Sequence, residues 1–439
     1  MKKLLALLLA LILVLGMVSC GSKSEPAETE EPAKTEEPAK TEEPAKTEEP
    51  AKTEEPTATE APAAEETQAP AEETETKVAM ITDYGDITDQ SFNQTTYEAC
   101  KAFAETNGVE FQYFKPAGDS TADRVAMVEK AVDEGYNVLV MPGYAFGGTI
   151  VEAAPEYPDV KFIAIDVAKG DLLEAGVAAA GETYDYIPDN WDLEKYVDMS
   201  NVYCAVYQEE LCGYMAGYAA VKLGYTKLGF LGGMAVPAVV RYGYGFVQGV
   251  DAAAAELGLT DVELNYVYGG QFSGDADITA VMDTWYNGGT EIVFACGGSI
   301  YSSAGEAAAK VNGKVIGVDT DQSGIIDGKY GEGMTVTSAM KGLYPATYDT
   351  LTDVVVNGNW DKYVGQIATL GLISGTDPEA NYVQIPMTTQ FEDGKFTADD
   401  YKALVAAMFD GSLTVSNDIS KTASDFATVI TLDDQGSIK

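Results

Sequence analysis

The sequence predicts an α/β protein built as two doubly wound parallel-sheet lobes. Three observations predict it. From Lys77 onward, short apolar runs alternate with helical stretches. The runs are apolar on both faces, as strands of a parallel sheet covered on both sides must be. The alternation runs through once and then repeats, over more residues than one core comfortably serves.

The elements follow in order. Met1-Lys2-Lys3 is a short positive start, and residues 4–18 form an apolar stretch broken only by Gly16. It is shorter than the ~20 residues that span a bilayer, and it fits a signal peptide over 1–19. The small Ser19 directly before Cys20 resembles a lipobox, with Met17 where leucine is usual. Lipidation of Cys20 would anchor the chain to a membrane, since each buried CH2 contributes about 0.8 kcal/mol. Residues 20–76 read as a linker. Four consecutive copies of Glu-Glu-Pro-Ala-Lys-Thr fill 30–53, and no aromatic residue follows before Lys77. Such a segment has nothing to bury against the entropy of ordering and stays solvated and extended.

Lobe 1 is assigned to 77–201. It contains strands at 78–83, 110–114, 138–141 and 161–166, alternating with helices at 91–107, 121–134 and 149–156; Gly108, Gly135 and Pro142-Gly143 supply stops. Lobe 2 is assigned to 202–322, with strands at 202–207, 227–233, 262–268, 291–296 and 315–319. Its helices fall at 209–223, about 242–257, 275–286 and 302–311. Residues 323–439 are assigned to a return into lobe 1 and a C-terminal segment, with strands at 335–339 and 367–373 and helices at 344–356 and 398–409.

Charge and composition exclude several functions. The formal charge is −43, and residues 78–439 hold 19 Lys and Arg against 52 Asp and Glu. A surface this acidic disfavours nucleic acid and adhesion to anionic lipid. The chain contains no histidine, which removes Ser-His-Asp and Cys-His catalysis and histidine-based zinc sites. Cys100, Cys204, Cys212 and Cys296 are widely spaced and read as buried free thiols. The glycine pairs lack the Gly-Lys-Ser/Thr of a phosphate loop, and residues 319–323 lack the glycine and glutamate of a calcium loop.

Several strands end in a polar residue or glycine: Asp83, Gly143, Asp166, Gly232-Gly233, Gly297-Gly298 and Asp319. Ligands of open parallel sheets sit beyond these ends. A polar cleft lined by carboxylates and backbone amides is the expectation.

Four motifs carry a resemblance. Asp89-Gln90-Ser91-Phe92-Asn93-Gln94 resembles the D-x-S-F-N signature of the basic membrane protein (BMP) family of purine-nucleoside-binding lipoproteins of ABC transporters. Gly229 to Met234 with Pro237, Arg241-Tyr242 and Gly245-Phe246 looks like its second signature. Gly317 to Gln322 and Thr337 to Lys341 look like the third and fourth. The acidic charge departs from the family's name. The resemblance implies the type I periplasmic-binding-protein fold, two lobes joined by three crossovers. It implies a monomer on the extracellular face of the cell membrane, serving ABC permease subunits and needing no cofactor or metal.

The resemblance also implies roles. Phe92 would stack on the base, or else pack as a helix-start residue. Asn93 would pair with the base edge or cap the helix. Tyr242, where the family usually has phenylalanine, and Phe246 are candidates for the opposing aromatic, Phe246 being alternatively lobe-2 core. Asp83 and Asp166 would contact base or ribose, and Asp319 would hold the ribose diol. Lys341 would reach the ribose side or serve a structural ion pair. Gly232 and Gly233 would let backbone amides approach the ligand. Other readings stay open: the same fold binding a sugar or other polar metabolite, a surface sensor, or a carboxylate-pair enzyme acting on glycosidic bonds.

Overall fold

The structure is a computed structural model and describes residues 75–439. The signal peptide, Cys20 and nearly all of the repeat linker lie outside the described residues.

The chain enters as β1 (Lys77–Ile81), α1 (Phe92–Asn107), β2 (Glu110–Phe114), α2 (Thr121–Asp133), β3 (Val138–Pro142), α3 (Phe146–Ala153), β4 (Lys161–Ile165), α4 (Lys169–Ala179) and β5 (Val202–Tyr207). It continues through α5 (Glu209–Lys222), β6 (Lys227–Gly232), α6 (Pro237–Leu257), β7 (Glu263–Tyr268), α7 (Ala276–Asn287), β8 (Ile292–Cys296), α8 (Tyr301–Val311), β9 (Lys314–Asp319), α9 (Ser323–Tyr330) and β10 (Thr335–Lys341). Then follow α10 (Leu343–Leu351), β11 (Ile367–Leu370), β12 (Val383–Gln384), α11 (Ala398–Phe409) and β13 (Thr431–Ser437).

Two sheets result. The first runs β2-β1-β3-β4-β5-β11 and the second runs β13-β7-β6-β8-β9-β10-β12. All neighbours pair in parallel except β10 with β12. The central strands β3 and β8 are buried along their whole length, as their unbroken apolar sequences require. The expected two-lobed, doubly wound α/β architecture is observed.

Strand pairing redraws the boundaries read from sequence. The strand at 202–207 belongs to the first sheet, beside β4, not to lobe 2. The segment after 322 does not return to lobe 1 as a whole: β10, β12 and β13 join the second sheet, and only β11 joins the first. The second repeat needs a fifth inner strand after β9 just as the first does after β4, and β10 supplies it. The chain therefore passes between lobes three times, at Gln208, at Gly342 and between 371 and 382. Main-chain bonds tie these passages together: Gln208 N to Leu370 O (3.0 Å), Tyr382 N to Gly371 O (3.0 Å) and Gly342 N to Tyr382 O (2.7 Å).

One helix pair positions the cleft. Helices α5 and α6 cross with their backbones in contact at glycines. A Cβ at Gly245 would lie 2.1 Å from the Glu210 carbonyl oxygen, and one at Gly249 2.1 Å from that of Tyr214. Helix α6 starts at Pro237, earlier than the expected 242, because proline suits a first helical turn. That extra turn carries Arg241 to the start of α5.

Candidate ligand-binding site

The carboxyl ends of both sheets line one cleft. About 740 Å³ of atom-free space lies between them, part of it open solvent. The first lobe supplies Asp83, Asp89, Phe92, Asn93, Gly143, Tyr144, Asp166 and Asp171; the second supplies Arg241, Tyr242, Phe272, Gly297, Asp319 and Lys341 among others.

Lys341 ends β10 and is buried in the floor. Its Nζ lies 2.6 Å from Asp166 Oδ2, 3.7 Å from Asp319 Oδ1 and 3.8 Å from Glu209 Oε1. Burial alone would lower its pKa, but the three carboxylates outweigh that and hold it above the ordinary lysine value. The ammonium also sits 4.7 Å from the Phe92 ring centre and 5.6 Å from that of Tyr242, close enough for a cation–π contribution. Glu209 in turn accepts from Arg241 Nε at 2.6 Å.

Asp319 joins the lobes. It accepts from Ser91 Oγ of the opposite lobe at 2.6 Å and from Tyr242 Oη at 3.4 Å. Burial pushes its carboxyl up, opposed by Lys341 and Ser91. Gln322 adds a second tie, donating from Nε2 to the Gln90 carbonyl at 3.1 Å. Across the mouth, the hydroxyls of Tyr84 and Tyr144 both reach the Met234 sulfur.

Asp89 explains the D-x-S-F-N pattern physically. Its carboxylate accepts from the backbone amides of Ser91, Asn93 and Gln94, satisfying the first turn of α1. Helix α1 is thereby fixed with Phe92 and Asn93 at the cleft. Asp83 similarly accepts from the amides of Tyr84 (2.6 Å) and Gly85 (2.7 Å). Burial raises its carboxyl while these amides lower it.

Of the residues singled out from sequence, Asp83, Phe92, Asn93, Asp166, Tyr242, Asp319 and Lys341 line one cavity. Two do not. Phe246 is fully buried against Phe230 and Phe294, because one helical turn beyond Tyr242 points it into the second core. Gly233 is not in the lining; it lies behind Phe272, whose ring comes within 2.5 Å of where a Gly233 Cβ would stand. Phe272, Arg241 and Asp171 were missed as site residues. Phe272 sits in a glycine-rich loop, and only the two glycine pairs that make room for it hinted at its presence.

Two buried acceptors in the lining have no partner: Asn93 Oδ1 and Asp166 Oδ1. An orphaned buried acceptor costs on the order of 1–3 kcal/mol, so a ligand offering donors here would relieve that cost.

A family model described as ABC transporter substrate-binding protein PnrA-like, Bmp, matches residues 76–377. The chain belongs to the Bmp family. Among its Bmp relatives, the ABC transporter nucleoside-binding protein BmpA of Lactococcus lactis is 27% identical over 272 residues, covering 59% of this chain and 67% of that protein. An uncharacterized lipoprotein of Pyrococcus abyssi is 27% identical over 313 residues, covering 69% of this chain and 68% of that protein. In structure, a solute-binding protein from an ABC transporter system of Aeropyrum pernix K1 matches with a TM-score of 0.55 at 22% identity, covering 80% of this chain and 90% of that one. Another from Conexibacter woesei matches at 0.54 and 20% identity, covering 78% and 99%. These two share the fold, the type I periplasmic-binding-protein fold. As a Bmp protein the chain is a substrate-binding component of an ABC transporter.

Proposed function

We propose that this Bmp protein is a lipid-anchored receptor that captures purine nucleosides between its lobes and delivers them to an ABC permease, without catalysis. The observation that carries the reading is the pairing of flat and polar groups in one cavity. Phe92 and Phe272 line the cavity from opposite lobes, and a purine base would pack between two such rings. Asn93 Oδ1 and Asp166 Oδ1 are buried acceptors awaiting donors. Asp319 and Asp166, flanking Lys341, suit a ribose diol, which donates two hydroxyl hydrogens.

Electrostatics narrows the ligand. Five aspartates line the cavity against Arg241 and Lys341. An added phosphate would meet this excess of negative charge, so a neutral nucleoside is favoured over a nucleotide. The L. lactis relative named as nucleoside-binding supports the same ligand class. Relatives named as lipoproteins support anchoring through Cys20.

Isothermal titration of refolded protein with guanosine, inosine, adenosine, cytidine, ribose and inosine monophosphate tests the reading. Saturable binding of purine nucleosides, with weak or no binding of cytidine, ribose and the nucleotide, is expected. Binding of ribose alone would replace the ligand class with sugars. Release of free base from inosine would overturn the non-catalytic assignment.

A further inference from the structure

Residues 378–439 lie beyond the stretch matched by the Bmp family model, yet their last strand ends against the loop that carries Phe272. Strand β13 adds in parallel to the edge of β7, from Thr431 opposite Glu263 to Ser437 opposite Tyr268. The strand is mostly exposed and polar, so main-chain bonds rather than burial hold it. Its start is fixed by Asp251, whose carboxylate accepts from the amides of Thr428 (2.8 Å), Val429 (2.7 Å) and Ile430 (3.2 Å). Its middle is fixed by Gln435, which accepts from Trp285 Nε1 at 3.1 Å.

Its far end meets the loop after β7. Ile438 N donates to Tyr268 O at 2.8 Å, and Ile438 packs on the second-lobe core. Gly270 has φ +78°, and a Cβ there would lie 2.9 Å from Lys439 Cβ. Lys439 Nζ donates to Gln271 Oε1 at 3.1 Å and pairs with the Asp275 carboxylate. Gln271 and Asp275 bracket Phe272 in sequence, and Phe272 lines the cavity from the second lobe. On the opposite side the loop is held by main-chain bonds from Gly269 N to Gly232 O (2.7 Å), from Gly270 N to Gly233 O (2.9 Å) and from Ser299 N to Phe272 O (2.9 Å).

We propose that residues 431–439 are a strap that sets the position of Phe272, with Lys439 as a positioning residue for the ligand site. The proposal rests on the reading of this cleft as the place where a flat ring is held. The strap restrains the loop from the outer edge of the sheet, so the aromatic face is presented before ligand arrives and less ordering is left for binding to supply.

Amide hydrogen exchange on the ligand-free full chain tests the strap directly. In Lys439→Ala, amides 270–275 should exchange at least about ten-fold faster than in the parent, with the inner strands unchanged. Lys439→Arg, which keeps the charge, should restore protection. Unchanged exchange in Lys439→Ala would overturn the proposal. Titration with inosine then tests the route: Lys439→Ala should weaken binding several-fold in the parent and add no further loss in a Phe272→Ala background. Full additivity would overturn action through Phe272. If the parent binds no nucleoside, the ligand assignment fails, while the exchange result still decides the strap.

Discussion

Asp166 and Asp319 occupy the same place in the two lobes, and both turn their carboxylates on Lys341. Each stands at the carboxyl end of the fourth strand of its sheet repeat, Asp166 directly after β4 and Asp319 as the last residue of β9. Each adopts a left-handed backbone, with φ of 67° and 64°. Aspartate tolerates that conformation better than most residues, and here it aims an acid from each lobe at one ammonium.

Lys341 is therefore the keystone of charge in the cleft. Lys341→Met would leave Asp166 and Asp319 buried without their counter-ion. A loss of about 3–5 kcal/mol is expected for such a broken pair. Scanning calorimetry should show a clear fall in Tm, and adding Asp166→Asn should recover part of it. An unchanged Tm in Lys341→Met would show that the cluster is solvated.

Asp319→Asn keeps the shape and the backbone preference but removes the charge that Ser91 and Lys341 address. Affinity for the ligand should fall by about 10–100-fold, the worth of a hydrogen bond to a charged group. Asp319→Ala should also destabilise the protein, because alanine resists a positive φ. Titration paired with thermal melting separates the two effects.

Gly233→Ala places a methyl against the Phe272 ring, at 2.5 Å before relaxation. The ring must move toward the cleft. Ligand affinity should drop at least about ten-fold while the melt stays cooperative. An affinity in Gly233→Ala with Phe272→Leu equal to that of Phe272→Leu alone would show that the obstruction is this ring.

Asp171 gives a pH dependence of definite sign. Burial lifts its carboxyl from 3.8 to about 7, opposed by the Ala168 amide and reinforced by Asp166. Between those values the folded chain holds a proton that the unfolded chain has released. This group's contribution to stability is greatest at the acid end and declines as pH rises toward 7. Glu210, also raised to about 7, acts in the same sense. Asp171→Asn should flatten the fall in Tm between pH 5 and 8; an identical slope in the variant would assign the dependence elsewhere.

The alternating pattern made the two sheets legible, because inner strands buried on both faces leave unbroken apolar runs. The cleft was legible where it depends on strand ends, as at Asp83, Asp166 and Asp319. It was illegible where position comes from packing between elements. Phe246 shares a motif with Tyr242, yet one turn of helix separates core from cavity. Phe272 belongs to no periodic segment, and its place depends on the glycines it covers. Strand β13 reads Thr-Leu-Asp-Asp-Gln-Gly-Ser, which resembles a loop. An edge strand held by main-chain bonds needs no apolar signature.

The thiols of Cys100, Cys204, Cys212 and Cys296 are all interior and unbonded, and burial lifts each of them above its ordinary pKa. Very little thiolate is available, and no oxidant or exchange partner can approach without unfolding the lobes. The described domain therefore carries no covalent cross-link, and its two lobes hold together by packing, hydrogen bonds and ion pairs.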